Sequence, residues 1–217
     1  MKPTIFSFTI VLLLLGSTSI YGQDQIAWFH YFNKMNLSYK YSIDTDIGYR
    51  NDFQSMERWQ IRTGLKYNLN EDFNIRAGIM HVQGTHADNE LRLYQDFLHK
   101  TTFSDFHFSH RLRFEEQFFP MINQRNYRVR YNPMVKFSTG IGAVTLGIEP
   151  FINLNPLKIS SNRIYLGITR YTFKNTLVTL QYIREGSYAN SEMNRLNSSH
   201  MIRIKIDHTI NPIRFKK

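Results

Sequence analysis

The sequence predicts an all-β fold: a closed antiparallel transmembrane β-barrel, an up-and-down meander of about ten strands. Three observations carry that prediction. Ten stretches alternate apolar and polar residues one by one, and the polar set is rich in Arg and Lys. Side chains along a strand point alternately to opposite faces, so each stretch has one greasy and one charged face. No stretch has a sustained helical period that could cover the greasy faces. A soluble sheet would pack them on a second layer, whereas a closed barrel in lipid needs no cover. Finally, the links between stretches alternate between short and long, as in outer-membrane barrels.

The chain opens with Met1 and Lys2 and an apolar run over 5–15 broken only by Ser7 and Thr9; Gly16, Ser17, Thr18 and Ser19 follow. This is the layout of a secretory signal peptide over 1–22, cleaved after Gly22 to leave Gln23 first. A spanning helix would need about 20 apolar residues, more than this run supplies. Residues 23–39 come next. Ala27, Phe29 and Tyr31 alternate with Trp28, His30 and Phe32, so the segment is apolar on both faces. As a spanning strand it would start the barrel outside the cell. It is therefore expected to be a periplasmic or interfacial segment, where Trp and Tyr are favoured; the alternative is a barrel of twelve strands with one further partner. Residues 40–217 form the barrel.

Strands are expected at 40–50, 56–69, 73–82, 90–99, 106–119, 127–138, 143–153, 163–172, 177–185 and 200–208. Their lengths cluster near the ~9–11 residues that a tilted membrane strand requires. Short turns contain Asn70-Glu71, Ser104-Asp105, Gly140-Ile141-Gly142 and Lys174-Asn175, residue types that tolerate left-handed backbone angles. Longer links are expected at 51–55, 83–89, 120–126, 154–162 and 186–199. Short turns belong on the periplasmic side, which would leave both ends of an even-stranded barrel in the periplasm.

Alternation assigns an inward set that includes Asp44, Asp46, Arg50, Arg58, Lys66, Arg76, Glu90, Asp96, Lys136, Glu185, Arg203, Lys205 and Asp207. A lumen charge network is expected from Arg62, Arg92, Arg111, Arg113, Glu115, Arg128, Arg130, Glu149 and Arg163. Interior charges must be paired or hydrated, and the planar fork of arginine suits a carboxylate. The sequence leaves two readings open: ladders of ion pairs that fill a narrow barrel, or an anion-selective lumen. Gln95, His110, Glu116 and Arg170 fall on outward positions and belong near the rims or at a bulge.

Composition adds limits. The chain has 217 residues, 13 Tyr, 17 Phe and no Cys, with a formal net charge of +10. Without cysteine an exported chain does without disulfides. Mean hydropathy is −0.39, which does not exclude a barrel whose lumen is polar. Export makes nucleic acid an improbable partner for the basic charge; outer-membrane lipid, lipopolysaccharide, small anions and the barrel assembly machinery are the expected ones. No cofactor is implied. His107-Phe108-Ser109 invites comparison with outer-membrane lipases, but both polar groups point inward and no Gly-x-Ser-x-Gly elbow is present, so no catalytic residue is assigned. His81 and His86 lack the further ligands that zinc would want. Gly140-Ile141-Gly142 joins two strands and is a turn. Asn36-Leu37-Ser38 and Asn197-Ser198-Ser199 match short glycosylation patterns that arise by chance.

Several pieces together resemble a known family. They are Trp28, Glu90-x-Arg92-x-x-Gln95, His110-Arg111-x-Arg113-x-Glu115, Arg128-x-Arg130-Tyr131, Glu149-x-Phe151, Arg163-x-x-x-Gly167 and Tyr182. In order and spacing the chain is similar to the outer-membrane barrel family of Gram-negative bacteria catalogued as domain of unknown function 2490. The resemblance implies an outer-membrane β-barrel and supplies no activity and no catalytic residue. The end of the chain departs from the pattern: such barrels typically finish on an aromatic residue, whereas Phe215 is followed by Lys216 and Lys217, and Pro212 interrupts. The expected function is porin-like: a structural barrel, or a narrow anion-preferring channel with a largely filled lumen. The alternatives are a lipid-acting outer-membrane enzyme or a soluble periplasmic β-barrel carrier.

Overall fold

The computed structural model describes residues 24–53, 56–85, 89–173, 175–188 and 195–212, with backbone alone at 195–197. The expected signal peptide, His86, Phe215 and the side chain of Asn197 lie outside the described residues. Eleven strands follow one another: β1 Asp24–Asn36, β2 Tyr41–Asn51, β3 Glu57–Asn68, β4 Phe73–Gly84, β5 Glu90–Phe103 and β6 Phe106–Phe119, then β7 Gln124–Thr139, β8 Gly142–Leu154, β9 Leu157–Phe173, β10 Thr176–Tyr188 and β11 Arg195–Ile210. Each pairs with its sequence neighbours, and β1 closes the barrel on β11. The ladder is antiparallel throughout except at that seam, where β1 and β11 run parallel.

The barrel thus has eleven strands, not ten and not twelve. The additional one is β1, from the segment expected to lie outside the barrel. Its pairing with Tyr41–Asn51 on one side and Arg195–Ile210 on the other is continuous. Trp28, His30 and Phe32 face the interior and Ala27, Phe29 and Tyr31 face outward. Apolarity on both faces did not disqualify it, because the interior takes aromatic rings as partners for arginine. An odd strand number also overturns the expectation that both ends lie on one side: β1 starts at the rim opposite the one where β11 ends.

Three long links shrink. The expected 154–162 link is the two-residue turn Asn155-Pro156, because β9 starts at Leu157. At 120–126, β7 begins at Gln124 after a single 3-10 turn, Pro120–Ile122, with Asn123 in the left-handed region at φ 49°. The 186–199 link narrows as β10 runs to Tyr188 and β11 starts at Arg195. Ser104 and Asn175 have positive φ in their tight turns, as their residue types allow. Proline leaves a visible trace: the β7–β8 ladder lapses between Arg130–Phe151 and Met134–Gly147, around Pro133 and Pro150. There the Asn132 amide donates to the Ile148 carbonyl at 3.1 Å.

The outer wall is apolar: Leu65 is 51% exposed, Phe97 57%, Ile164 55% and Ile204 38%. Polar residues on that wall cluster toward the rims or pair with each other, as His110 does with Tyr131 (2.8 Å) and Arg125 with Glu116 (3.4 Å); Gln95 is exposed among apolar neighbours. The core is the lumen itself. It holds two apolar clusters, Trp28, Tyr165, Ile183 and Met201 on one side and Met80, Val82 and Tyr94 on the other. Glycine makes room for the rings. Gly64 and Gly78 face each other across β3 and β4, and a Cβ on either would collide with the Tyr94 hydroxyl. Gly147 likewise underlies Tyr165.

Candidate functional site

The interior is organised by register. Antiparallel pairing sets same-face residues of neighbouring strands side by side. It places Arg113 opposite both Asp96 and Arg130, Glu115 opposite Arg128, and Glu149 opposite Arg163. Two carboxylates then act as hubs. Glu115 Oε2 accepts from Arg128 Nε and Nη2 at 2.8 and 2.6 Å, while Oε1 accepts from Arg130 Nη1 at 3.0 Å and Arg92 Nη1 at 3.2 Å. Glu149 Oε1 accepts from Arg111 Nη2 at 2.6 Å and Arg130 Nη2 at 2.7 Å, and Arg163 stands 3.9 Å from Oε2. Arg130 bridges the two hubs.

Of the residues expected to form the network, Arg92, Arg111, Arg113, Glu115, Arg128, Arg130, Glu149 and Arg163 are therefore contiguous. Arg113 reaches Glu115 at 3.6 Å. Arg62 belongs to an adjoining group: it pairs with Asp46, which also bonds His30 Nε2 at 2.8 Å. The two groups meet over Tyr94, whose ring faces the guanidinium carbons of Arg62 at 5.4 Å and Arg113 at 4.7 Å.

Several residues that hold the site together lay outside the expected charge network. Asp96 takes Arg113 through two parallel bonds of 2.6 and 2.9 Å and also binds Arg76. Glu90 binds Arg92 at 2.6 Å and Gln117 at 2.6 Å. Phe151 has Arg130 at 4.4 Å and Arg163 at 4.6 Å over its ring. Alternation could have marked Asp96 and Glu90, which it already put inside; nothing local marks an aromatic residue as a cation platform.

Burial decides what the middle of the lumen can do. Arg113 is 1% exposed, Glu115 0%, Tyr94 1% and Asp46 1%. Side chains on the wall of a water-filled pore would be wet; these are not, so the barrel is packed across at this level. One mouth differs. Lys66, Lys100 and Lys136 face inward near the rim where β11 ends, Lys100 and Lys136 are exposed, and none makes an ion pair with a carboxylate among the described residues. His107, beside them, bonds Thr102 at 3.0 Å, and His81 on the outer wall bonds Asn89 at 2.6 Å.

Apart from Asp24, exposed at the rim, every interior carboxylate of the described strands is committed to a base: Asp44 to Arg76, Asp46 to Arg62, Glu90 to Arg92, Asp96 to Arg113, Glu185 to Arg163 and Asp207 to Lys205, besides the two hubs. The uncommitted interior charge is basic. Against known proteins, the model of a family described as Protein of unknown function (DUF2490) matches residues 25–197. No curated protein and no solved structure matches the chain.

Proposed function

The chain belongs to the DUF2490 family, and we propose that it is an outer-membrane β-barrel braced shut at mid-lumen, structural in role, whose residual permeability favours small anions. What carries the reading is the contrast inside the barrel. The buried carboxylates are tied to arginines, while Arg50, Lys66, Lys136 and Arg203 make no ion pair with a carboxylate among the described residues. An ion approaching the packed zone therefore meets net positive charge, which favours anions. The apolar outer wall supports lipid as its surroundings, because an isolated barrel has no other layer to cover Leu65, Phe97 and Ile204.

The reading makes the chain a non-enzyme, delivered by a signal peptide and inserted by the barrel assembly machinery. Its partners are outer-membrane lipid and lipopolysaccharide, and nucleic acid is not among them. The test is conductance across a planar bilayer, on wild type and Glu115→Gln. A braced lumen gives small anion-favouring currents in wild type and a variant that unfolds more easily. A stable variant with a large anion current would replace the braced barrel with an open channel. Recovery of the mature chain as a soluble periplasmic monomer would end the membrane reading altogether.

A further inference from the structure

The seam of the barrel carries a second feature that the ion-pair network does not use. Register places Trp28 of β1 between two arginines, Arg50 of β2 and Arg203 of β11. The guanidinium carbon of Arg50 lies 3.8 Å from the Trp28 ring centroid, that of Arg203 at 4.5 Å and that of Arg163 at 5.9 Å. Arg163 is balanced by Glu185 at 2.8 Å. Arg50 and Arg203 make no ion pair with a carboxylate among the described residues, and Glu185, which also acts on Arg50, is already held by Arg163. Three donors at this place are buried without an acceptor: Trp28 Nε1, Arg50 Nε and Arg203 Nε. Trp28 as a whole is 5% exposed.

Buried donors without acceptors are costly, and like charges gathered on one ring repel. A ligand that supplies oxygen acceptors and negative charge removes both penalties together. Cation–π attraction to the indole offsets some of the repulsion but satisfies no N–H. We propose that the Arg50–Trp28–Arg203 row is a binding site for a compact oxyanion, a phosphate or carboxylate group, reached through the lumen. Arg58 is the next residue of the row after Arg50, and its side chain is 44% exposed, so the basic surface continues from the site toward solvent. The site goes beyond the proposed role of the barrel: binding here does not depend on whether the lumen conducts.

The protein offers its own reporter, since Trp28 and Trp59 are its two tryptophans. Trp59 stands on the outer wall and is 53% exposed. Trp59→Phe in the full chain in detergent leaves Trp28 as the sole indole emitter. Titration with inorganic phosphate at constant ionic strength should change its emission saturably. Arg50→Gln and Arg203→Gln should each raise the apparent Kd about tenfold, the loss of one charge-assisted bond. Arg170→Gln, exposed on the outer wall and remote from the row, should leave the Kd unchanged. Each variant is first checked for the heat-dependent gel migration of a folded barrel, and Arg50→Lys replaces Arg50→Gln if the latter fails to fold. An unsaturable response, an equal response to chloride, or unchanged affinity in both arginine variants overturns the site. So does an equal response to anionic lipid vesicles in buffer free of inorganic phosphate, which would mark a response to the lipid surface and not to an oxyanion reached through the lumen. Conductance is read separately, so a failed site and a failed barrel role are told apart.

Discussion

At the scale of single residues, the interior works because its carboxylates are shared. Glu115 holds Arg92, Arg128 and Arg130 at once and is fully buried. Removing one partner of a buried ion pair costs more than the pair contributes net, because the other charges stay behind without compensation. Glu115→Gln should therefore lower stability by about 3–5 kcal/mol, read as a shift in the urea midpoint of the folded, heat-modifiable band. Asp96→Asn should behave similarly, since it strips Arg113 of a two-bond partner. The outer pair Arg125–Glu116 is exposed at 64% and 30%, and deleting it should cost within about 1 kcal/mol. If Glu115→Gln and Glu116→Gln cost the same, the interior is hydrated and the braces are not buried pairs.

At the scale of elements, the strands were legible where one face was charged and the other apolar. All ten expected strands exist, and 106–119 coincides with β6. Boundaries moved where pairing, not composition, decides: β9 runs from Leu157, through Lys158, Ser160 and Asn162, because β8 continues opposite it to Leu154. β1 was misread because Trp28 and Phe32 look like outward residues until their cross-strand arginines are known. The aromatic platforms Tyr94 and Phe151 were hidden for the same reason, and so was the purpose of Gly64 and Gly78. The glycine under Tyr165 gives a direct test, because a Cβ at Gly147 would meet the Tyr165 ring first. Gly147→Ala should push against Tyr165 and cost about 1–3 kcal/mol, as overpacking does. Placed in a Tyr165→Ala background the same substitution should cost less, and the double-mutant cycle should show coupling. Equal costs in both backgrounds would show that Tyr165 does not fill the glycine gap.

At the scale of the whole molecule, two properties follow from closure: an apolar wall and ends on opposite rims. If the wall lies in lipid, as proposed, Ile204→Arg should cost about 2–4 kcal/mol in bilayers when it sits near the midplane, measured as the change in urea unfolding from vesicles. The cost should shrink in detergent, where the charge reaches water more easily. The second property is peculiar to this barrel. Eleven strands with a parallel β1–β11 seam put Asp24 on the rim of the 3-10 turn Pro120–Ile122, and put Asn211 on the rim of the Ser104-Asp105 turn. A ten- or twelve-strand barrel would put both ends on one rim. The chain has no cysteine, so single-cysteine variants report against a clean background. In intact cells a membrane-impermeant maleimide should label Asp24→Cys together with Met121→Cys, and should leave Ser104→Cys and Asn211→Cys unlabelled until the envelope is opened. This side assignment follows from short turns facing the periplasm; the pairing of Asp24 with Met121 follows from the strand count alone. Labelling of the second pair in place of the first would invert the barrel in the membrane yet keep its topology. Labelling of Asp24→Cys and Asn211→Cys from the same side would remove β1 from the wall, and the Trp28 row with it.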